Sequence, residues 1–207
     1  MENLSELQTE AMGELFNIAY GLATSLISDS IGMHSSMYVT EMEIIDIENL
    51  ADTIAGVIDG DKEYYHVSQV FLNYLEGETV MLMSRESAAA LTECYSRIDD
   101  MLDDSSEEDI KSCTLEISNI ITSALIGRIA DLTNTEIFFQ PPEIKPYKTS
   151  EIHDLRRGSE FSQVIVIKVI IDIDSTEIKG HMYVLLKEQS FSRFKEALDY
   201  FIEHYAG

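Results

Sequence analysis

Two kinds of hydrophobic spacing alternate along the chain. From Ser5 to Ser28 apolar residues recur every three or four positions, with Leu7, Leu15, Ile18, Leu22 and Leu26 available for burial and a stop near Gly32; the spacing predicts a long helix. A second such stretch starts at Ser112. There Cys113, Leu115, Ile117, Ile120, Ile121, Leu125, Ile126 and Ile129 keep helical spacing, and neither Pro nor Gly interrupts the first four turns.

The segments between read differently. Ser35 to Ile47 mixes alternation with continuous apolar character and predicts a strand, and residues 48 to 64 give a short element between turns at Gly56 and Gly60. Tyr64 to Ser84 predicts a hairpin around Glu76-Gly77-Glu78, with Val67, Val70, Leu72, Val80 and Leu82 as inward or pairing residues. A short helix follows from Arg85. Residues 99–109 carry seven acids and two serines and read as a solvated linker, its last acids well placed at the start of the second long helix. After that helix the order repeats: a short strand over 135–140, a polar, turn-rich stretch over 143–160, a longer hairpin from Phe161 and a terminal helix. The hairpins begin VSQV and FSQV and close with MSRES and LKEQS. An internal duplication accounts for this, with one domain built from repeats of about residues 1–100 and 101–207.

Each long helix also carries a polar stripe. Ser112, Glu116 and Asn119 fall within roughly 60° of one another around a helix axis. Glu10, Glu14 and Asn17 repeat the spacing in the first half. Twenty-two residues separate Asn119 from Pro142, and the same number separates Asn17 from Thr40. Taken alone, a Glu and an Asn three apart are usually a solvated face; two copies on helices otherwise built for burial favour a site.

The pattern of Asp or Ser, Glu four residues on, Asn three further and Pro after twenty-two more resembles the signature of the CheC phosphatase family of bacterial chemotaxis, which includes CheC, CheX and FliY. The second copy matches at Ser112, Glu116, Asn119 and Pro142. The first departs at Glu10, where Asp or Ser is usual, and at Thr40, where Pro is expected, while Gly21 and Ala23 recover part of the family's continuation. The resemblance implies an α+β fold: two pseudo-symmetric α-β repeats forming one continuous sheet, with the two motif-bearing helices laid antiparallel across it. It also implies a phosphatase acting on the aspartyl phosphate of a phosphorylated CheY-like receiver domain. Glu14 and Glu116 would pair with a lysine of the partner, and Asn17 and Asn119 would orient the attacking water. No cofactor or metal would be held by this chain, since the receiver brings its own Mg²⁺. Two copies point to CheC rather than to the one-site CheX relatives. The competing expectation is a non-catalytic adapter that docks CheD or flagellar switch components.

The residue types suit that chemistry. An acyl phosphate is already reactive, so its hydrolysis needs a water placed in line with phosphorus more than a strong base. A carboxamide can hold the water without adding negative charge beside the phosphoryl group.

Composition narrows the alternatives. Fourteen Lys and Arg against thirty-eight Asp and Glu give a net charge of −24, which opposes nucleic acid and anionic membranes as partners. No apolar run reaches the length of a membrane span. The acidic start MENLSELQTE lacks the features of a secretory signal, so a cytoplasmic protein is expected. Cys94 and Cys113 fall in helical apolar patterns and read as buried thiols. His34, His66, His153, His181 and His204 lack metal-ligand spacing, and no phosphate-binding or nucleophile-elbow motif occurs.

Overall fold

A computed structural model of the chain describes residues 4–32, 34–59, 62–96, 106–133, 135–147, 161–173 and 176–205. The first long helix, α1, spans Glu6–Ile31. Its start is fixed by a reciprocal cap: the Gln8 amide N–H donates to Ser5 Oγ at 3.2 Å and the Ser5 N–H to Gln8 Oε1 at 2.9 Å, satisfying two otherwise orphaned donors. Its end is Gly32 at φ 60°, a left-handed position that glycine adopts without strain. The chain continues through β1 (Ser35–Asp46), α2 (Leu50–Val57), β2 (Tyr64–Asn73), β3 (Gly77–Ser84) and α3 (Arg85–Ser96). The second long helix, α4, spans Glu107–Thr133 and is followed by β4 (Ile137–Phe139), β5 (Glu143–Tyr147), β6 (Phe161–Ile173), β7 (Thr176–Lys187) and α5 (Glu188–Tyr205).

The strands form one seven-stranded antiparallel sheet in the order β1-β6-β7-β3-β2-β4, with β5 also paired to β2. Read from either end the order is the same kind of object: an edge strand, a hairpin, and a central seam where β3 meets β7. On one sheet face α1, α3, α4 and α5 cover a large core, into which the sheet contributes Tyr65, Val67, Phe71, Met81, Met83, Ile165, Ile167, Val169, Ile171 and Met182. The other face carries a smaller core built around Leu50, Ala51 and Ile54 of α2, with Tyr64, Val80, Leu82, Tyr147, Val166 and Tyr183. Two-sided burial explains the continuous apolar runs of β3, β6 and β7. Cys94 and Cys113 are buried, and among the described residues no helix is long and apolar enough to cross a membrane.

The structure corrects the reading of α1. Of the five residues expected to be buried, only Leu15 is; Leu7, Ile18, Leu22 and Leu26 lie exposed on the outside. The buried stripe is instead Met12, Phe16, Ala19, Tyr20, Ala23 and Ile27. The helix is apolar on two sides, and the one with small alanines and large rings meshes with the sheet, where close approach requires small residues beside bulky ones. On α4 six of the eight expected residues, Cys113, Ile117, Ile121, Leu125, Ile126 and Ile129, are buried, while Leu115 and Ile120 are half-buried.

Two further differences concern the second half. Part of the stretch taken as polar and turn-rich is strand β5, made aperiodic by Pro146 in a strand that, among the described residues, pairs on one side only. The remainder, and most of the acidic linker, lie outside the described residues. The match of VSQV with FSQV is also out of structural step. β6 has thirteen residues against ten in β2, so Gln163 falls in the first rungs of β6, donating to Asp46 Oδ1 at 2.7 Å, and does not occupy the place of Gln69.

His66, on the smaller core's side of the sheet, is 4% exposed and stacks on Tyr147 with ring centroids 5.8 Å apart. Burial, with Lys145 adding to it, lowers its pKa to about 4. Below the unfolded value of 6.5 the unfolded chain takes up a proton that the folded chain refuses. Stability should therefore fall by up to about 3 kcal/mol as pH drops from the unfolded value toward the folded one. His66→Phe keeps the ring stack and removes this titration, so its urea midpoint should decline less over that interval than the wild type's; His181, lowered in the same direction by burial, remains in both.

Candidate functional site

The second polar stripe is presented by α4. Ser106 starts the helix: its N–H donates to Asp109 Oδ2 at 2.9 Å and its hydroxyl accepts from the Asp109 N–H at 3.3 Å. Glu107 is held by the Tyr65 hydroxyl and by Arg85 Nη2 at 2.9 Å, contacts that hold its carboxyl below the usual range. With its first turn pinned and its apolar side sunk into the core, α4 has a fixed rotation. Ser112 and Glu116 face solvent, Asn119 is half-buried, and all three lie along one side.

Glu116 receives a 3.4 Å hydrogen bond from Ser30 Oγ, near the end of α1, as an antiparallel pairing of the two helices requires. Both groups are exposed, so Glu116 stays open to a cationic partner. Asn119 is tied more firmly: its Oδ1 accepts from Gln69 Nε2 at 2.8 Å. The same Gln69 nitrogen donates to the Gln140 carbonyl at 3.1 Å. Gln140 and Pro141 lead into Pro142, in the gap between β4 and β5. The twenty-two residues separating Asn119 from Pro142 are thus closed in space by a side chain from the other half of the chain. Beneath Gln69 the network continues, with Thr79 Oγ1 3.1 Å from Thr122 Oγ1 and 3.3 Å from the Gln69 carbonyl.

The first site is built differently. Glu10, Glu14 and Asn17 are all exposed on α1, and among the described residues no hydrogen bond engages the side chain of Glu14 or Asn17. Below Asn17 lies a cleft of about 240 Å³ lined by Gly13, Phe16, Val39, Thr40, Glu41 and Met42. It opens where β1 bulges, the register with β6 shifting between Val39 and Glu41 so that Thr40 is the extra residue. Thr40 and Pro142 therefore do the same thing by different means: each interrupts an edge strand beside the Asn-bearing helix. Under this site the contact that corresponds to Thr79–Thr122 is the Tyr20 hydroxyl against Met182 Sδ at 3.9 Å. One site rests on a hydrogen-bonded bed and the other on an apolar one.

Sequence reasoning missed Gln69. A signal was present: the helix-facing row of β2 is Tyr65, Val67, Gln69, Phe71, and the glutamine breaks an otherwise hydrophobic series. Among the described residues no group of three or more His, Cys, Asp or Glu side chains could hold a metal ion.

No known family profile matches the chain. It is 22% identical over 205 residues to the Bacillus subtilis (strain 168) protein named CheY-P phosphatase CheC, covering 94% of this chain and 95% of that one. The fold is similar to the crystal structure of Thermotoga maritima FliY, with TM-score 0.73 and 18% identity over 98% of this chain and 99% of that one. It is also similar to the FliM middle domain of H. pylori, with TM-score 0.63 and 10% identity over 94% of this chain and 99% of that one.

The buried Thr79–Thr122 pair yields a stability test. Thr79→Val strands the Thr122 hydroxyl in the core and should cost about 1–3 kcal/mol. Adding Thr122→Val removes the stranded group, so urea unfolding should show the double variant recovering most of that loss.

Proposed function

We propose that this chain, whose fold is of the CheC/CheX/FliY type, accelerates hydrolysis of the aspartyl phosphate on a CheY-like receiver domain. The observation that carries the reading is the pairing of Glu116, open to solvent, with Asn119, one turn along the same side and held by its carboxamide oxygen. The likeness to a CheY-P phosphatase over most of both chains supports it.

In this reading Glu116 forms an ion pair with a lysine of the docked receiver and sets the register of α4 against its phosphorylated face. Asn119 retains one carboxamide lone pair and its NH₂ group for water and phosphoryl oxygen. Water attacks phosphorus in line, the bond to the aspartyl oxygen breaks, and the products are the free carboxylate and inorganic phosphate. The Mg²⁺ that neutralises charge on the phosphoryl oxygens belongs to the receiver, and this chain supplies position rather than metal or base. Glu14 and Asn17 offer the same residue pair on α1, where among the described residues no side chain fixes the carboxamide.

A second reading is favoured by one observation. Leu7, Ile18, Leu22 and Leu26 are 41–62% exposed on α1 around Glu14 and Asn17, and an apolar row bordering a polar pair suits a lasting dock. The first site would then be an adapter surface for a partner such as CheD or a flagellar switch component, with hydrolysis confined to the second.

Removal of a group that positions the reacting water should slow the reaction on the order of a hundredfold to a thousandfold. Asn119→Ala should therefore sharply reduce single-turnover loss of phosphate from a phosphorylated receiver, with circular dichroism like that of the wild type and a urea midpoint lowered only by the one Gln69 amide hydrogen it leaves unpaired. Unchanged decay in the Asn17→Ala, Asn119→Ala double variant would overturn the phosphatase reading, and a stable complex without phosphate release would establish the adapter.

A further inference from the structure

Gln69 occupies a position that ordinary core packing would give to an aliphatic residue. It is 4% exposed, on the helix-facing row of β2 between Val67 and Phe71. Its two amide hydrogens are directed to Asn119 Oδ1 and to the Gln140 carbonyl, while its own Oε1 is buried with no hydrogen-bond partner among the described residues. An unpartnered buried carbonyl lowers stability, and a leucine here would avoid it. The corresponding strand, β6, shows the apolar solution: Ile165, Ile167, Val169 and Ile171, of which Ile165, Ile167, Val169 and Ile171 all enter the core. On that side Asn17 stands exposed above the β1 bulge, and among the described residues no side chain clamps it.

We propose that Gln69 is a positioning residue of the second site, clamping the Asn119 carboxamide and the turn before Pro142 together so that Asn119 meets a docked receiver in one orientation. This rests on the phosphatase reading. A free asparagine side chain rotates about its terminal torsion, and only a fraction of its orientations present the water correctly. With Oδ1 fixed from below, the amide plane is set before the partner arrives. Holding Gln140 at the same time keeps the Pro142 turn in register with α4. The two sites then differ in kind: the second is organised in advance, and the first must order its asparagine on docking.

The test measures phosphate release from a phosphorylated receiver in an Asn17→Ala background, so that only the second site is read. Gln69→Leu should lower kcat about tenfold with KM for the receiver nearly unchanged. Its urea midpoint should equal or exceed that of its parent, because the orphaned carbonyl is gone. In an Asn119→Ala background the same change should produce no further loss. Gln69→Met, which keeps chain length without a donor, repeats the measurement should the leucine variant fail to fold. Unaltered kcat with a folded variant, or losses at Gln69 and Asn119 that multiply independently, would overturn the proposal. A readout independent of activity is the Asn119 side-chain amide by NMR: a chemical shift that moves and a side-chain order parameter that falls in Gln69→Leu support the clamp, and signals unaffected by the substitution refute it. If the wild type releases no phosphate, the phosphatase reading fails and the amide signals still decide whether the clamp exists.

Discussion

The constraint on which the molecule turns is that two long helices, each apolar on the side turned inward, share one sheet face. Each can hold a carboxylate and a carboxamide at the surface only because its opposite side is locked in place by the core. A fully buried Leu, Ile or Phe contributes about 1.5–3 kcal/mol, and α4 alone sinks Ile117, Ile121, Leu125, Ile126 and Ile129. Rotating the helix to hide Glu116 would expose several of these at once. The rotation is therefore set by the core, and the polar stripe inherits a direction that its own weak surface interactions could not maintain.

The same sheet makes the two sites unequal. Its strand order is symmetric about the β3–β7 seam, yet the side chains beneath the two asparagines are not. Gln69, Thr79 and Thr122 form a polar layer under Asn119, whereas Tyr20 and Met182 fill the matching space under Asn17. A polar layer in a core is costly unless its members satisfy one another, and here most do. The apolar layer leaves the outer asparagine to solvent and a cleft at the β1 bulge.

Much of this could be read from the chain. The long helices, the hairpins and the motif residues on α1 and α4 follow from periodicity and from caps such as Ser5 and Gly32. Three things did not follow. Periodicity could not choose between the two apolar sides of α1, because both have helical spacing and the choice depends on the shape of the sheet it meets. β5 was hidden by Pro146, tolerated because its strand, among the described residues, pairs on one side only. The role of Gln69 depends on a contact fifty residues distant in sequence, which no local pattern encodes, although a lone amide in an inward row was a visible irregularity.

The bulge at Thr40 reaches beyond the first site. β1 is a twelve-residue strand at the rim of the sheet, and a long straight rim is a template onto which a foreign strand can add. The extra residue kinks that rim midway, and Glu43 and Asp46 add negative charge to it, Glu41 being paired with Lys168. The irregularity that hollows the ground under Asn17 thus also discourages the fold from growing sideways into fibres.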